Sequence, residues 1–344
     1  MRLTMTTDRG VAGLTLLFAL TAPLFLSGYW IGTLLTDVLL LGVVAASLIF
    51  LSAYGGMLSL GQVAVYGIAG FVVGNATTNG NTKGLNLGWD PWWGVILGIL
   101  IAVVVAVLFG ALASRSVGIY FLMITLTYSV IANLSFGQVT DVSGFGGISG
   151  IPTPGLIGVA SAHQNRLYYV ALGAAIAVYA LLRYIVRTPF GLTLQGLRDD
   201  PVRMSSLGYN VALHRTIAFG FAGFIAAIGG VLFVWWNGHI DPTSIGLANT
   251  INVLVIAVVG GLYRIEGAWI GALFFVILNN YSQQISFIGP RFATLIGAIF
   301  LVIVLVSPGG LIGIWERALT YVSGRNQGPP DPSTVAGGTP EPTT

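Results

Sequence analysis

The sequence contains no cysteine and few charged residues. Without cysteine the 344-residue chain forms no disulfide, binds no metal through thiolates and has no thiol nucleophile. Only 7% of its residues are charged and 55% are hydrophobic, with a mean hydropathy of +0.88, whereas about a quarter of the residues in soluble domains are charged. This composition excludes an ordinary soluble domain and indicates an integral membrane protein. The small net charge of +3 predicts no nucleic-acid partner.

Lysine is almost absent as well. The single lysine, Lys83, lies between a threonine and a glycine, so the chain has no GxxxxGK[ST] phosphate-binding loop. We therefore predict that the protein is not an enzyme and has no ATPase site of its own.

Ionisable residues are also scarce inside the apolar stretches. Asp37 lies about one turn inside one stretch, and Arg264 and Glu266 lie near the end of another. Charges in the middle of the membrane usually mark ion coupling, so their scarcity disfavours a secondary carrier. The histidines are far apart, and no metal or catalytic role is predicted for His163, His214 and His239.

About ten stretches are long and apolar enough to be helices that cross a bilayer core about 30 Å thick. They predict an all-α fold, a polytopic transmembrane helical bundle of about 8–10 spans with broken or re-entrant helices. The third, eighth and ninth are the weakest, because they are short or rich in glycine and polar residues. The stretches are 11–30, 34–53, 57–76, 91–113, 117–137, 167–186, 213–236, 248–263, 267–287 and 291–313.

Positive charge predicts the orientation and the domain limits. If the N-terminus is cytoplasmic and all ten stretches cross, eleven of the fourteen basic residues fall on the cytoplasmic side, as the positive-inside rule requires. Residues 1–10 then form a cytoplasmic N-terminus, and residues 11–316 form the transmembrane domain. Residues 317–344, rich in proline, glycine and threonine, are predicted to be a disordered cytoplasmic tail.

A polar segment at residues 187–215 interrupts the membrane pattern and falls on the cytoplasmic side. Within it we predict a short helix at residues 201–207, with Asp199 and Asp200 suited to the N-cap, Pro201 to the first turn and Gly208 to the residue after the end. A helix of two turns is unstable alone, so we expect it to pack against another protein.

Three glycine-rich segments occur at residues 55–62, 143–152 and 260–271. Glycine at a helix break exposes backbone groups that can line an aqueous path, whereas glycine within a helix allows close packing. Both readings stay open for the first segment, and packing is favoured for Gly267 and Gly271. The predicted translocation-path residues are Gly55, Gly56, Ser59, Gly61, Gln62, Gly144 and Gly147.

Several motifs in one order resemble a known family. The segments GGMLSLGQVAVYGIAGF, GIYFLMITL, GISGIP, RTPFGLTLQGLRDDPVRMSSLGYNVALHRTIAF and HIDPTSIGLANTINVLVIAVVGGLYRIEGAWIGA are similar to the LivM-like membrane permeases of branched-chain amino acid ABC importers. The resemblance covers roughly residues 35–313. Arg203 and Met204 stand where relatives carry two alanines, and Gln62 stands where a histidine is common.

The resemblance implies an ATPase-coupling loop within residues 187–215, whose helix docks on a separate ATPase. The residues it assigns to coupling are Arg198, Asp199, Asp200, Pro201, Arg203, Met204 and Gly208.

The resemblance also implies partners and a location. The partners are a homologous LivH-like permease, two cytoplasmic ATPase subunits, a periplasmic or lipid-anchored solute-binding protein and membrane lipid. The chain itself holds no cofactor, because ATP and Mg are bound by the ATPase subunits. The expected location is the bacterial inner membrane, with both termini cytoplasmic.

The expected function is the import of branched-chain or other hydrophobic amino acids. Urea and short-amide importers use closely similar permeases, so they are an alternative. A secondary carrier, a channel and a membrane-embedded enzyme are further alternatives, although only Asp199 and Asp200 offer adjacent acids.

Overall fold

Helices make up nearly all of the regular structure in the computed structural model, which describes residues 21, 23, 30–79, 84–155, 158, 164–284, 292–307 and 309–314. The described α-helices are α1 (Thr36–Gly55), α2 (Gln62–Thr77), α3 (Pro91–Ala113), α4 (Ile119–Gln138), α5 (Gln164–Arg187), α6 (Pro189–Asp199), α7 (Pro201–Ser206), α8 (Val211–Asn237), α9 (Leu247–Gly260), α10 (Gly267–Gln284) and α11 (Phe292–Val306).

Short elements complete the regular structure. A π-helical turn, Trp30–Leu35, leads directly into α1. Strands β1 (Ile148–Ser149) and β2 (His239–Ile240) pair antiparallel, with Ile148 opposite Ile240. A 3-10 turn, Pro242–Ile245, follows β2. The sequence patterns did not predict the β1–β2 pair, because two residues are too few to show strand alternation.

Helix length and hydropathy confirm a polytopic α-helical membrane bundle. Among the described residues, five helical stretches are long and apolar enough to cross a membrane: Trp30–Gly55, Pro91–Ala113, Ile119–Gln138, Asn165–Arg187 and Val211–Asn237. Four shorter apolar helices are Gln62–Thr77, Leu247–Gly260, Gly267–Ser282 and Phe292–Ile303. Each of the nine predicted stretches from residue 34 onward overlaps one of these helices. Most of the first, 11–30, and all of the predicted tail, 317–344, lie outside the described residues.

Helix ends follow recognisable cap chemistry. Asp90 accepts a hydrogen bond from Trp92 N at 2.9 Å, and Pro91 occupies the first turn of α3. Asn210 accepts one from Leu213 N at 3.0 Å and so starts α8. These side chains satisfy N–H groups that have no partner within the helix.

Helix α8 lies in the centre of the bundle and packs against α1, α2 and α3. Small residues make the close approach of the helices feasible. A Cβ at Gly223 would clash with Ala106 of α3, and one at Gly230 would clash with the backbone of Tyr66 in α2. Most residues of α1 and about half of those of α8 are buried in the resulting core.

Helices α9 and α10 pack through glycine backbone. A Cβ at Gly271 would meet Ile256 O, and one at Gly260 would meet Gly267 O. Gly267 and Gly271 are spaced four residues apart, so they lie on the same face of α10. The packing interpretation of these two glycines is confirmed.

The connections between the helices lie at two opposite ends of the bundle. At one end, which we call the coupling end, α6 and α7 lie beside the end of α1, and Arg183 lies near Glu266. At the opposite end, Trp236 Nε1 donates to Gly32 O at 2.8 Å, and β1 pairs with β2. This separation is what alternating membrane crossings require.

Candidate functional site

Helix α7 has the start and stop that its sequence predicts. Asp200 Oδ1 accepts a hydrogen bond from Arg203 N at 2.9 Å, and Pro201 occupies the first turn. Gly208 follows the helix with φ +89, and its N–H donates to Ser205 O at 3.0 Å. The helix predicted at 201–207 is therefore confirmed at Pro201–Ser206. Of the two candidate caps, Asp200 is the one that acts.

Helix α6 precedes α7 and was not predicted from the sequence. Thr188 accepts a hydrogen bond from Gly191 N at 3.4 Å, and α6 buries Leu194 and Leu197 against the bundle. Pro189 occupies its first turn, where proline is tolerated. The paired apolar positions Leu194 and Leu197, three residues apart, were the signal for a helix.

Helix α7 rests on α6 and presents its other side outward. A Cβ at Gly196 would lie 3.0 Å from Met204 Sδ, so this methionine packs onto α6. Val202 is 75% exposed and Leu207 is 67% exposed, and α7 contains no buried residue. The α6–α7 unit therefore offers a small apolar surface at the coupling end.

Arg198 joins this unit to α1. Its Nε donates to Asp199 Oδ1 at 2.9 Å, and its Nη1 donates to Ala53 O near the end of α1. Gly56 has φ +64, and a Cβ there would lie 2.6 Å from Arg198 Cγ. Arg198 thus satisfies a carbonyl that the end of α1 leaves free. Its guanidinium is engaged within the chain.

Arg203 differs from Arg198 in its exposure and in its partner. It lies 3.6 Å from Asp200 Oδ2, within its own helix, and its side chain is 79% exposed. An exposed pair of this kind contributes little to stability. Arg203 therefore remains open to solvent or to another surface.

Residues 56–61 are not helical and separate α1 from α2. Leu60 N donates to Thr125 Oγ1 at 3.1 Å, and Ser129 Oγ donates to Leu60 O at 2.9 Å. Gly61 N donates to Ser59 Oγ at 3.2 Å. Non-helical backbone within a membrane needs such internal partners, because lipid offers none. A helix break, one of the two readings left open for this segment, is therefore present at residues 56–61. The assignment of Gly55, Gly56, Ser59, Gly61 and Gln62 to a translocation path stays a prediction.

Gln62 is the first residue of α2 and is 0% exposed. Neither its Oε1 nor its Nε2 has a hydrogen-bond partner within the described part of the chain. A buried polar group without a partner costs about 1–3 kcal/mol. Sequence reasoning placed Gln62 in the path, but it had no signal that the amide would be unpartnered.

Gly144 and Gly147 lie at the opposite end, away from the break. Both have positive φ, of +61 and +68, and a Cβ at Gly147 would clash with Ile240 O. The two glycines therefore shape the turn that leads into β1. The structure divides the predicted path residues into two groups and does not bring them together.

Asp241 organises the turn after β2. Its Oδ1 accepts hydrogen bonds from Ser244 N at 3.0 Å, Ser244 Oγ at 2.8 Å and Thr243 Oγ1 at 2.8 Å. Burial raises the pKa of this carboxyl, but these hydrogen bonds and the nearby His239 outweigh it, so the net shift is downward. Asp241 thus stays ionised as the cap of the 3-10 turn.

His239 is not the isolated surface residue that its sequence position suggested. Its Nδ1 lies 3.0 Å from Ser149 Oγ, and its Nε2 lies 3.8 Å from Asp241 Oδ2. The order resembles a hydrolytic triad, but the Asp241 carboxylate is committed to the 3-10 turn. The contact instead fastens β1 to β2. No group of metal-binding side chains occurs within the described ranges.

A second polar cluster lies at the coupling end and was also missed. Tyr179 Oη donates to Glu266 Oε1 at 2.8 Å, and Arg183 Nη1 lies 3.4 Å from the same oxygen. The ring of Tyr179 meets Trp269 edge-on at 5.9 Å between centroids. This cluster ties α5 to the connection between α9 and α10. The only sequence signal was the occurrence of Glu266 beside an apolar stretch.

The apolar helices, the buried break between α1 and α2 and the α6–α7 unit define a polytopic membrane protein of the permease class. The chain belongs to the branched-chain amino acid permease family. The family model described as "Branched-chain amino acid transport system / permease component" matches residues 30–305, which include all helices from α1 to α10 and most of α11.

Curated relatives agree with this assignment. The chain is 25% identical over 245 residues to the high-affinity branched-chain amino acid transport system permease protein LivM of Salmonella typhimurium, and likewise to that of Escherichia coli K12. The aligned region is 64% of this chain and spans 57% of the length of each of these relatives.

The LivH permease of Escherichia coli K12 is 27% identical over 151 residues, which are 44% of this chain and 47% of that protein. No solved structure matches the chain.

Proposed function

We propose that this chain is the permease subunit of an ATP-binding cassette importer for branched-chain or other hydrophobic amino acids. Membership of the permease family supports the transport role, and the names of the LivM and LivH relatives support the solute class. The translocation path forms together with a second, LivH-like permease. Two ATPase subunits bind ATP and Mg, and an external solute-binding protein delivers the solute.

The α6–α7 unit is the observation that carries the coupling part of this proposal. It presents Val202 and Leu207 outward, Met204 packs α7 onto α6, and Arg198 connects the unit to α1. We assign α7 to docking in a groove of an ATPase subunit. Closure of the ATPases then displaces α7, and the contact between Arg198 and Ala53 passes this displacement to the end of α1.

The α1–α2 break is the second part of the mechanism. It begins at Gly56, three residues after Ala53, whose carbonyl Arg198 engages. A displacement of the end of α1 therefore reaches Leu60, which hydrogen bonds hold to Thr125 and Ser129 in α4. Movement at this point switches the permease pair between outward-open and inward-open arrangements.

We place the protein in a bacterial inner membrane, with the coupling end and both termini cytoplasmic. Within the described residues, the coupling end carries Arg115, Arg183, Arg187, Arg198, Arg203 and Arg264, whereas the opposite end carries Arg166. The positive-inside rule supports this orientation.

Reconstitution tests the proposal. The chain, a LivH-like permease, two ATPases and a binding protein encoded beside it are purified as a complex and placed in proteoliposomes. We expect uptake of leucine or valine that requires ATP. Uptake of urea alone would show that the proposed solute class is wrong. Solute flux through the chain without ATPases would contradict its assignment to an importer.

A further inference from the structure

Gln62 stands apart from the other unpartnered buried groups of the described chain. Trp235 and Trp269 each leave one indole N–H without a partner and Arg215 leaves its Nε–H, whereas Gln62 leaves both a donor and an acceptor. Thr125 and Ser129 make their hydrogen bonds to Leu60, two residues before Gln62, and neither bonds to the Gln62 amide. The amide is thus a complete hydrogen-bonding group for which the surrounding described residues supply nothing.

The amide also lies deep within the bundle. Leu60 bonds to Thr125 and Ser129, which are six and ten residues from the start of α4, or about 9 and 15 Å along its axis. A Cβ at Gly61 would lie 3.5 Å from the ring of Phe219, eight residues into α8. In a hydrocarbon core about 30 Å thick, this depth is near the middle.

The start of α2 adds further donors at the same place. Gly61 is its N-cap residue, and no side chain caps the helix. The first N–H groups of a 16-residue helix lack intrahelical partners and carry partial positive charge. Such helix starts favour anionic groups, and broken membrane helices place them near the bilayer midplane.

We propose that the Gln62 amide and the first turn of α2 form a binding position for the zwitterionic head of an amino acid during transport. Nε2 and the free N–H groups donate to the solute carboxylate, and Oε1 accepts from its ammonium. A neutral amide serves both charged groups without placing a charge of its own in the membrane. Since Gln62 is enclosed here, the solute reaches it when the 56–61 segment moves. This inference rests on the proposed function.

Substitution of Gln62 in the reconstituted importer separates this role from a structural one. Gln62→Met keeps the length of the side chain but removes its donor and acceptor. We expect its thermal midpoint to equal or exceed that of the wild type, because an unpartnered polar group is lost. We expect leucine uptake to fall about tenfold or more, as the loss of a hydrogen bond to a charged group predicts.

Two further variants serve as controls for this interpretation. Gln62→His restores one donor and one acceptor, so it should retain more uptake than Gln62→Met. Asn75→Leu is the matched control, since this buried amide donates to Phe71 O and accepts from Leu85 N. It should lower the thermal midpoint, with uptake per folded transporter close to the wild type.

The outcomes distinguish the inference from the proposed function. Wild-type leucine uptake with undiminished uptake by Gln62→Met would overturn the binding role and leave the importer intact, with the amide a site for water alone. If the wild-type complex transports only urea, the zwitterionic ligand class is overturned along with the solute class. A tenfold loss in Gln62→Met that Gln62→His partly restores supports the inference.

Discussion

At the scale of single residues, Arg198 and Arg203 show how neighbours of the same type can serve different purposes. Arg198 bonds to Asp199 and to the end of α1, whereas Arg203 pairs only with Asp200 of its own helix cap. Guanidinium groups suit such contacts because they offer several donors in a fixed plane. The polar link between α6 and α1 therefore depends on the Arg198 side chain.

Arg198→Met should loosen this link while keeping an apolar stem over Gly56. We expect the reconstituted importer to hydrolyse ATP but to move less solute per ATP, by about tenfold if a charge-assisted hydrogen bond is lost. The measurement is the ratio of uptake to phosphate release. Arg203→Met is the control and should leave that ratio unchanged. Equal ratios for both variants would contradict a transmitting role for Arg198.

Asp241 gives a prediction for pH. Because its pKa is lowered in the folded chain, the unfolded state binds the proton more tightly. Stability from this cap is therefore fully present above the ordinary aspartate pKa of about 3.9 and is lost as the pH falls through the lower folded value. Asp241→Asn keeps an acceptor oxygen but replaces charge-assisted hydrogen bonds with weaker neutral ones, so it should destabilise the protein by about 1 kcal/mol at neutral pH.

The difference in thermal midpoint between wild type and Asp241→Asn should stay constant from about pH 8 to pH 5 and shrink below about pH 4. Both proteins should carry His239→Gln, because the imidazole lies 3.8 Å from the carboxylate and would otherwise contribute to the comparison. A difference that already shrinks near pH 6 would show that the carboxyl is not the titrating group.

At the scale of elements, the residues at the two ends of α7 determine where this helix begins and ends. No atom lies within 4 Å of a Cβ placed on Gly208, but its φ of +89 is one that β-branched residues rarely adopt. Gly208→Val should therefore disturb the helix stop without a steric clash. We expect normal membrane insertion and reduced ATP-coupled uptake.

Gly118→Val is the matched control, because Gly118 also has positive φ and empty space around its Cβ. Gly118 lies in the connection between α3 and α4 and should affect coupling less. If both variants transport at the wild-type rate per inserted molecule, α7 has no coupling role.

The same elements show what local sequence can and cannot predict. Asp200, Pro201 and Gly208 act through their immediate neighbours, so the bounds of α7 followed from the sequence. Helix α6 and the β1–β2 pair depend on contacts between distant residues, such as Ile148 with Ile240. The 57–76 stretch was predicted as one span, yet α2 begins at Gln62 because Thr125 and Ser129 hold Leu60 out of the helix.

The candidate sites divide in the same way. Gly55 and Gln62 are close in the sequence and therefore lie at the same break, whereas Gly144 and Gly147 lie at the other end of the bundle. The contact of Arg198 with Ala53 spans 145 residues, and no local pattern encodes it. Burial of Gln62 without a partner likewise depends on how α2, α4 and α8 meet.

At the scale of the whole molecule, the two ends differ in chemistry. The coupling end combines the exposed α7 with most of the described arginines, and Gly110 near this end of α3 packs against Phe219 of α8. The opposite end is fastened by the β1–β2 pair and the Asp241 turn. This asymmetry makes the orientation in the membrane experimentally testable.

Because the chain has no cysteine, a single introduced thiol reports one position without background. Val117→Cys lies between α3 and α4 at the coupling end, away from α7, and Phe145→Cys lies at the opposite end. Both native side chains are well exposed, at 59% and 71%. In intact cells whose outer membrane has been made permeable, a membrane-impermeant maleimide should label Phe145→Cys but not Val117→Cys. Disruption of the inner membrane should then expose Val117→Cys. The reverse pattern would place α7 on the external side of the inner membrane, where no ATP is available. An ATPase could not work there, so this result would contradict the proposed importer.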